Sequence, residues 1–307
     1  MRLVFAGTPQ AAVPSLRRLA ASPHEVVAVV SRRDAPLGRR RVLTPSPVAT
    51  TAAELGIPVI KTDRLDADAA ARIAATTPDL GVIVAYGGLV REPLLSAPAY
   101  GWINLHFSLL PRWRGAAPVQ HALIAGDTET GASVFQLVPE LDAGDVFAES
   151  RVPIPSDATA SDLLADLAVL GADVLADVVD GIAAGTAVAT PQTGAPTLAP
   201  KLTLEDARIR WHDTSHAVLA RVRGVTPEPG AHTTIDGVRL KIGAATSAPA
   251  DSPTLAPGSM ALHGREVLVG TGTDPVVLRA VQPAGKGMMN AADWWRGLRT
   301  PDPVAGS

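Results

Sequence analysis

The sequence predicts an α/β protein in two parts, a mostly parallel sheet covered by helices and then a small β-barrel. Three observations carry this. Short apolar runs alternate with helix-length segments from residue 2 to about residue 182. The run Leu80-Gly81-Val82-Ile83-Val84-Ala85 is apolar throughout, as a strand buried on both faces must be. After a stretch rich in proline, threonine and glycine (189–200), the pattern changes to short strands separated by turn signals.

Taken in order, residues 2–6 read as a buried first strand that turns at Gly7-Thr8-Pro9, and a helix over about 12–21 follows. Residues 25–31 are a β-branched strand. A helix over 47–55 closes at Gly56, where a C-cap is expected, and Pro58-Val59-Ile60 makes a third strand. An alanine-rich helix over 67–76, the apolar strand at 80–85 and a strand at 101–107 come next. A helix over 117–125, strands at 131–139 and 146–153 and a long apolar helix over 157–182 complete a Rossmann-like domain. In the second part, Asp213-Thr214-Ser215 caps a short helix ending near Gly224. Strands at 231–235 and 238–242 flank the hairpin signal Asp236-Gly237. Further strands at 258–262, 266–270 and 276–281, and a helix near 290–298 with Trp294 and Trp295, suggest an OB-like barrel. The expected division is a catalytic domain over 1–188, a linker over 189–203 and a barrel domain over 204–307.

Composition narrows the function. The 307 residues carry a net charge of −3, which argues against a surface coated with nucleic acid. Charge is uneven, with 15 basic against 20 acidic residues over 1–200 and 12 against 10 over 201–307. The absence of cysteine excludes disulfides, thiolate metal sites and a catalytic thiol. The first residues run into glycine and proline without an apolar leader, and no apolar run reaches membrane-spanning length, so a cytoplasmic protein is expected. The first turn, G-T-P-Q-A-A, lacks both the dinucleotide fingerprint and a Walker lysine. One connection stands out: residues 32–41 hold five arginines, Arg32, Arg33, Arg39, Arg40 and Arg41, with proline and glycine between them. They concentrate positive potential at one place of an otherwise acidic domain, which suits phosphate or RNA contact.

The stretch 101–118, G-W-I-N-L-H-F-S-L-L-P-R-W-R-G-A-A-P, carries the chemistry. Strand period two puts Asn104 and His106 on one face, near the end of a strand, where ligands of parallel sheets bind. An amide donor beside an imidazole suits transfer of a carbonyl group to an amine, in which the carbonyl oxygen becomes an oxyanion and the nitrogen sheds a proton. A carboxylate in the loop Glu140-Leu141-Asp142-Ala143-Gly144-Asp145 would orient the imidazole or move that proton, and spacing alone does not choose among Glu140, Asp142 and Asp145. The other six histidines show no metal-ligand spacing, so no metal is expected.

The segment N-L-H-F-S-L-L-P-R-W-R-G-A-A-P (104–118) closely resembles the folate-dependent formyltransferases, and so do G-R-R-R-V-L-T-P-S-P-V (38–48), A-R-I-R-W (207–211) and Q-P-A-G-K (282–286). The resemblance runs along essentially the whole chain. It implies that Asn104, His106 and Asp142 are catalytic and that Ser108, Leu109, Leu110 and Pro111 bind folate alongside the loop 85–92. It further implies a monomer that uses 10-formyltetrahydrofolate, without metal or membrane partner, to formylate the methionine α-amino group of charged initiator tRNA through a tetrahedral intermediate. Arg39, with Arg40 and Arg41 behind it, then matches the arginine loop by which that branch of the family holds the tRNA acceptor stem. Branches acting on nucleotide-linked amines typically lack this loop.

Overall fold

A computed structural model describes residues 1–38 and 40–307. The chain begins with β1 (Arg2–Gly7), α1 (Val13–Ala20) and β2 (Glu25–Ser31). A hairpin of β3 (Ala35–Leu37) and β4 (Val42–Thr44) leads into α2 (Pro47–Glu54), β5 (Val59–Lys61) and α3 (Ala67–Ala74). Next come β6 (Leu80–Val84), β7 (Trp102–His106), α4 (Pro118–Ala125), β8 (Glu129–Gln136), β9 (Val146–Pro153) and α5 (Ala160–Ala184). The remainder contains α6 (Ser215–Gly224), β10 (His232–Ile235), β11 (Val238–Ser247), β12 (Met260–His263), β13 (Glu266–Val269), β14 (Val276–Pro283), β15 (Met289–Asn290) and α7 (Ala291–Arg296).

Contacts group the chain into two units. The first holds Met1–Pro118, Glu129–Val152 and Leu164–Pro200; the second holds Val119–Thr128, Pro153–Leu163 and Lys201–Ser307. In the first, one sheet runs β5-β2-β1-β6-β7-β8-β9. The strands from β5 to β7 are parallel, and β8 pairs antiparallel with β7. All five residues of β6 are buried, which matches their unbroken apolar character. Local chemistry sets the helix starts: Ser46 Oγ accepts from the Ala49 N–H ahead of Pro47, and Asp66 Oδ1 accepts from the Ala69 N–H. One side of the sheet buries Val4, Val30, Ile73, Ile83, Tyr86 and Trp102. The parallel order leaves the carboxyl ends of β6 and β7 side by side, where the polar residues of the 101–118 stretch emerge.

The segment expected as a linker behaves differently. Residues 189–200 lie within the first unit, with bridges between Val146 and Thr190 and between Arg114 and Leu198. Proline, threonine and glycine suit a free linker and an extended strap equally well, so composition does not separate the two. The arginine-rich connection also holds more order than its composition suggests. β3 and β4 pair with Ala35 opposite Thr44 and Leu37 opposite Val42, leaving Leu37, Val42, Leu43, Arg40 and Arg41 exposed. Arg39 lies outside the described residues.

In the second unit an antiparallel sheet runs β10-β11-β14-β13-β12, with β15 added on β14. β11 is ten residues long, and its register against β14 shifts between Ile242 and Ala245. Such bulges bend a strand and let a sheet curl toward a small barrel. Thr214 caps α6 by accepting from the Ala217 N–H, and α6 packs Val218 and Val222 into a core with Trp211, Leu240 and Ile242. Ile124 of α4 packs on the same core, which is why α4 groups here. Among the described residues no helix is long and apolar enough to cross a membrane.

Candidate active site

β7 presents Asn104 and His106 on one face, opposite Phe135 and Ser133 of β8. Both side chains line a cavity of about 450 Å³, closed on one side by the turn 85–90 and on another by residues 137–142. Glu140 and Asp142 line it too, whereas Asp145 lies in a separate recess with Ala143 and Phe147.

His106 is held at one nitrogen. Its Nε2 lies 2.8 Å from the Trp113 carbonyl oxygen, and since a carbonyl can only accept, Nε2 carries the proton. Nδ1 is left as the open nitrogen, 3.8 Å from Asp142 Oδ2. That separation is ionic contact and too long for a hydrogen bond. The side chains of His106 and Asp142 are only 7% and 11% exposed, so each feels the other's charge with little screening by water. Burial pushes the imidazole below its ordinary pKa; the Asp142 charge and the Trp113 bond act in the opposite direction without offsetting it. At neutral pH the ring is therefore uncharged, with a lone pair on Nδ1.

Asp142 is held through backbone. Its Oδ2 accepts the Gly115 N–H at 2.7 Å. Gly115 has φ +126, and a Cβ there would sit 2.7 Å from the Ala199 carbonyl oxygen, so only glycine allows this approach. Gly144, two residues after Asp142, is constrained likewise: a Cβ would fall 1.8 Å from the Gln136 carbonyl oxygen. Ala85, Trp113 and Asp142 are three of the seven described non-glycine residues with a left-handed backbone, and all three bound this site. Strained backbone gathered at one place marks a functional site.

The predicted folate-binding residues, Ser108, Leu109, Leu110 and Pro111, follow β7 closely. Ser108, Leu110 and Pro111 are buried, Leu109 is half-buried, and none of the four lines the cavity. Ser108 Oγ donates to the Arg112 carbonyl at 2.6 Å, and Ser133 Oγ donates to the Ser108 carbonyl at 2.7 Å. The Leu110 N–H closes the set on Ser133 Oγ. These residues support the turn that brings Trp113 to His106.

Two contributors escaped the sequence reading. Thr197 Oγ1 accepts from the Trp113 N–H, and the Gln192 side chain bonds both the Asp142 loop and Arg114. Both sit in the stretch read as a linker, and no spacing signal marks them. Among the described residues no group of three or more His, Asp or Glu side chains is arranged to hold a metal ion.

A mostly parallel α/β sheet with an Asn-His-Asp cavity at its strand ends, followed by an antiparallel sheet unit, defines the class. A family model described as formyl transferase matches residues 1–179, and the formyl transferase C-terminal domain matches residues 201–299. The methionyl-tRNA formyltransferase of Clavibacter sepedonicus is 64% identical over 305 residues, 99% of this chain and all of the relative. WlaRD, a sugar 3N-formyl transferase, shares the fold at TM-score 0.69 and 16% identity over 94% of this chain and 99% of its own. HypX from Aquifex aeolicus does so at TM-score 0.64 and 19% identity over 96% of this chain, which spans about half (48%) of HypX. The chain belongs to the methionyl-tRNA formyltransferase family.

Proposed function

We propose that this chain transfers the formyl group of 10-formyltetrahydrofolate to the α-amino group of methionine on initiator methionyl-tRNA, in the cytoplasm and as a monomer. The observation that carries the chemistry is the open Nδ1 of an uncharged His106 facing Asp142 across the cavity. The cavity, about 450 Å³ and bounded by the turn 85–90, suits a bicyclic ring such as a pterin.

His106 Nδ1 accepts the proton that the attacking amine sheds as its bond to the formyl carbon forms. The ring is then cationic, and the Asp142 carboxylate stabilises it at close range. In that state Nδ1 becomes a donor, able to protonate the departing folate nitrogen or to hydrogen-bond the oxyanion. Asn104 donates its amide to the same oxyanion. His106 thus acts as base before it acts as acid, because its other nitrogen is committed to Trp113. Arg39, Arg40 and Arg41, on the connection between β3 and β4, hold the phosphates of the acceptor stem. The 64% identity to a methionyl-tRNA formyltransferase supports this acceptor over the sugar amine of WlaRD.

Formylation assays on three variants test the site. Asn104→Ala should lose on the order of 10²–10³ in kcat, the value of one oxyanion donor. His106→Ala and Asp142→Ala should lose on the order of 10²–10⁴, the range of general acid–base catalysis. Turnover near that of the parent in any one of them removes that residue from the mechanism.

A further inference from the structure

We propose that Gln192 is a positioning residue for this reaction: its amide ties the Asp142 loop to the Arg114 turn and so keeps the carboxylate beside His106. The inference rests on the roles given above to Asp142 and His106. Gln192 Nε2 donates to the Asp142 carbonyl at 2.9 Å and to the Gly144 carbonyl at 2.8 Å. Its Oε1 accepts from Arg114 Nε at 3.1 Å and from Arg114 Nη2 at 2.6 Å. These four bonds use the full donor and acceptor capacity of one amide. They also fix its orientation, because the two carbonyls only accept and the guanidinium only donates.

The geometry around this amide concerns the reaction centre specifically. Asp142 has φ 45, a conformation L-residues avoid, and its own carbonyl is one of the two that Gln192 holds. On the other side, three consecutive residues touch the site: the Trp113 carbonyl accepts from His106, the Arg114 guanidinium meets Gln192, and the Gly115 N–H reaches Asp142 Oδ2. The backbone of Arg114 is in turn bonded to Thr197 and Ala199. Residues 192–199 therefore form a strap that joins the base-holding turn to the carboxylate loop, with Gln192 the cross-piece. Gln192 does not line the cavity, so its effect on the reaction passes through Asp142.

The pH dependence separates positioning from plain stabilisation. Among the described residues, Asp142 lies 3.8 Å from His106, Arg112 and Arg114 flank Trp113 in the chain, and Glu140 lines the same cavity. Of these, Asp142 acts on the ring by raising its pKa against burial. If Asp142 moves away, the acid limb of kcat/KM shifts to lower pH. A merely structural loss leaves that limb in place.

The test uses the full chain with Gln192→Met, similar in size but without the amide, and with Gln192→Glu, which retains the attraction to Arg114 but turns an oxygen toward the two carbonyls. Both should fold and lose kcat by roughly 10²-fold, as expected of a catalytic group displaced by about an ångström. KM for the acceptor should hold, and the acid limb of Gln192→Met should move down in pH. If Gln192→Met does not fold, the kcat of Gln192→Glu decides. A folded variant with the parent's kcat and an unmoved limb overturns the proposal. Asp142→Asn runs in parallel: its full activity would sink the reading of Asp142 and the strap's role with it, whereas its inactivity beside a normal Gln192 pair would sink the strap alone.

Discussion

The proposed reaction turns on which nitrogen of His106 is open. With Nε2 donating to the Trp113 carbonyl, only Nδ1 faces the cavity and Asp142. The sign of the pH dependence follows. Burial lowers the imidazole pKa, so the ring remains a competent base below the ordinary imidazole range, and protonation removes that base as the pH falls. The acid limb of kcat/KM attributable to His106 should lie below pH 6.5, the ring's ordinary value. Removing the Asp142 charge by Asp142→Asn should move the limb lower still in the residual activity, because the charge that favours the imidazolium is gone. A pH profile of parent and variant checks both statements, and a limb that rises in Asp142→Asn contradicts them.

At the scale of elements, β7 and two loops build the site, and each loop contains a glycine that its neighbours require. Gly144 is the sharper case, with the Gln136 carbonyl 1.8 Å from where a Cβ would stand. Gly144→Ala should shift the Asp142 loop and reduce kcat by roughly 10²-fold, the order of effect of an ångström of misplacement. Turnover assays alongside a thermal melt check this, and full activity would mean that the loop accommodates the methyl group without moving Asp142. Asn104 and His106 were legible in the sequence because strand periodicity alone puts them on one face. The carboxylate was not, since loops have no period; only the family resemblance pointed to Asp142 over Glu140 and Asp145. Gln192 and Thr197 were illegible for a further reason: a strap held by hydrogen bonds to distant backbone has the composition of a linker.

At the scale of the molecule, the two units do different work in the proposal. The first holds the cavity; the second supplies an antiparallel sheet matching the formyl transferase C-terminal domain. Alternating strands and helices, and the later change to short strands, made both architectures legible from periodicity. The membership of α4 was not, because Ile124 packs on a core assembled mostly from residues after 200, a contact no local pattern records. In the proposed reaction the acceptor is also set at this scale, by the arginines between β3 and β4 and by the second unit, so binding is expected to fall steeply with salt. The most direct measurement is formyl transfer from 10-formyltetrahydrofolate to charged initiator tRNA, charged elongator tRNA and an amino sugar nucleotide, by the native chain and by Arg39→Glu. The native chain should formylate methionyl initiator tRNA in strong preference to the other two. Arg39→Glu should lower use of that tRNA by roughly tenfold or more, the value of a charge-assisted contact, while leaving folate affinity unchanged. Formylation of the amino sugar nucleotide at a comparable rate, or an equal loss of tRNA use and folate affinity in Arg39→Glu, would contradict the assignment.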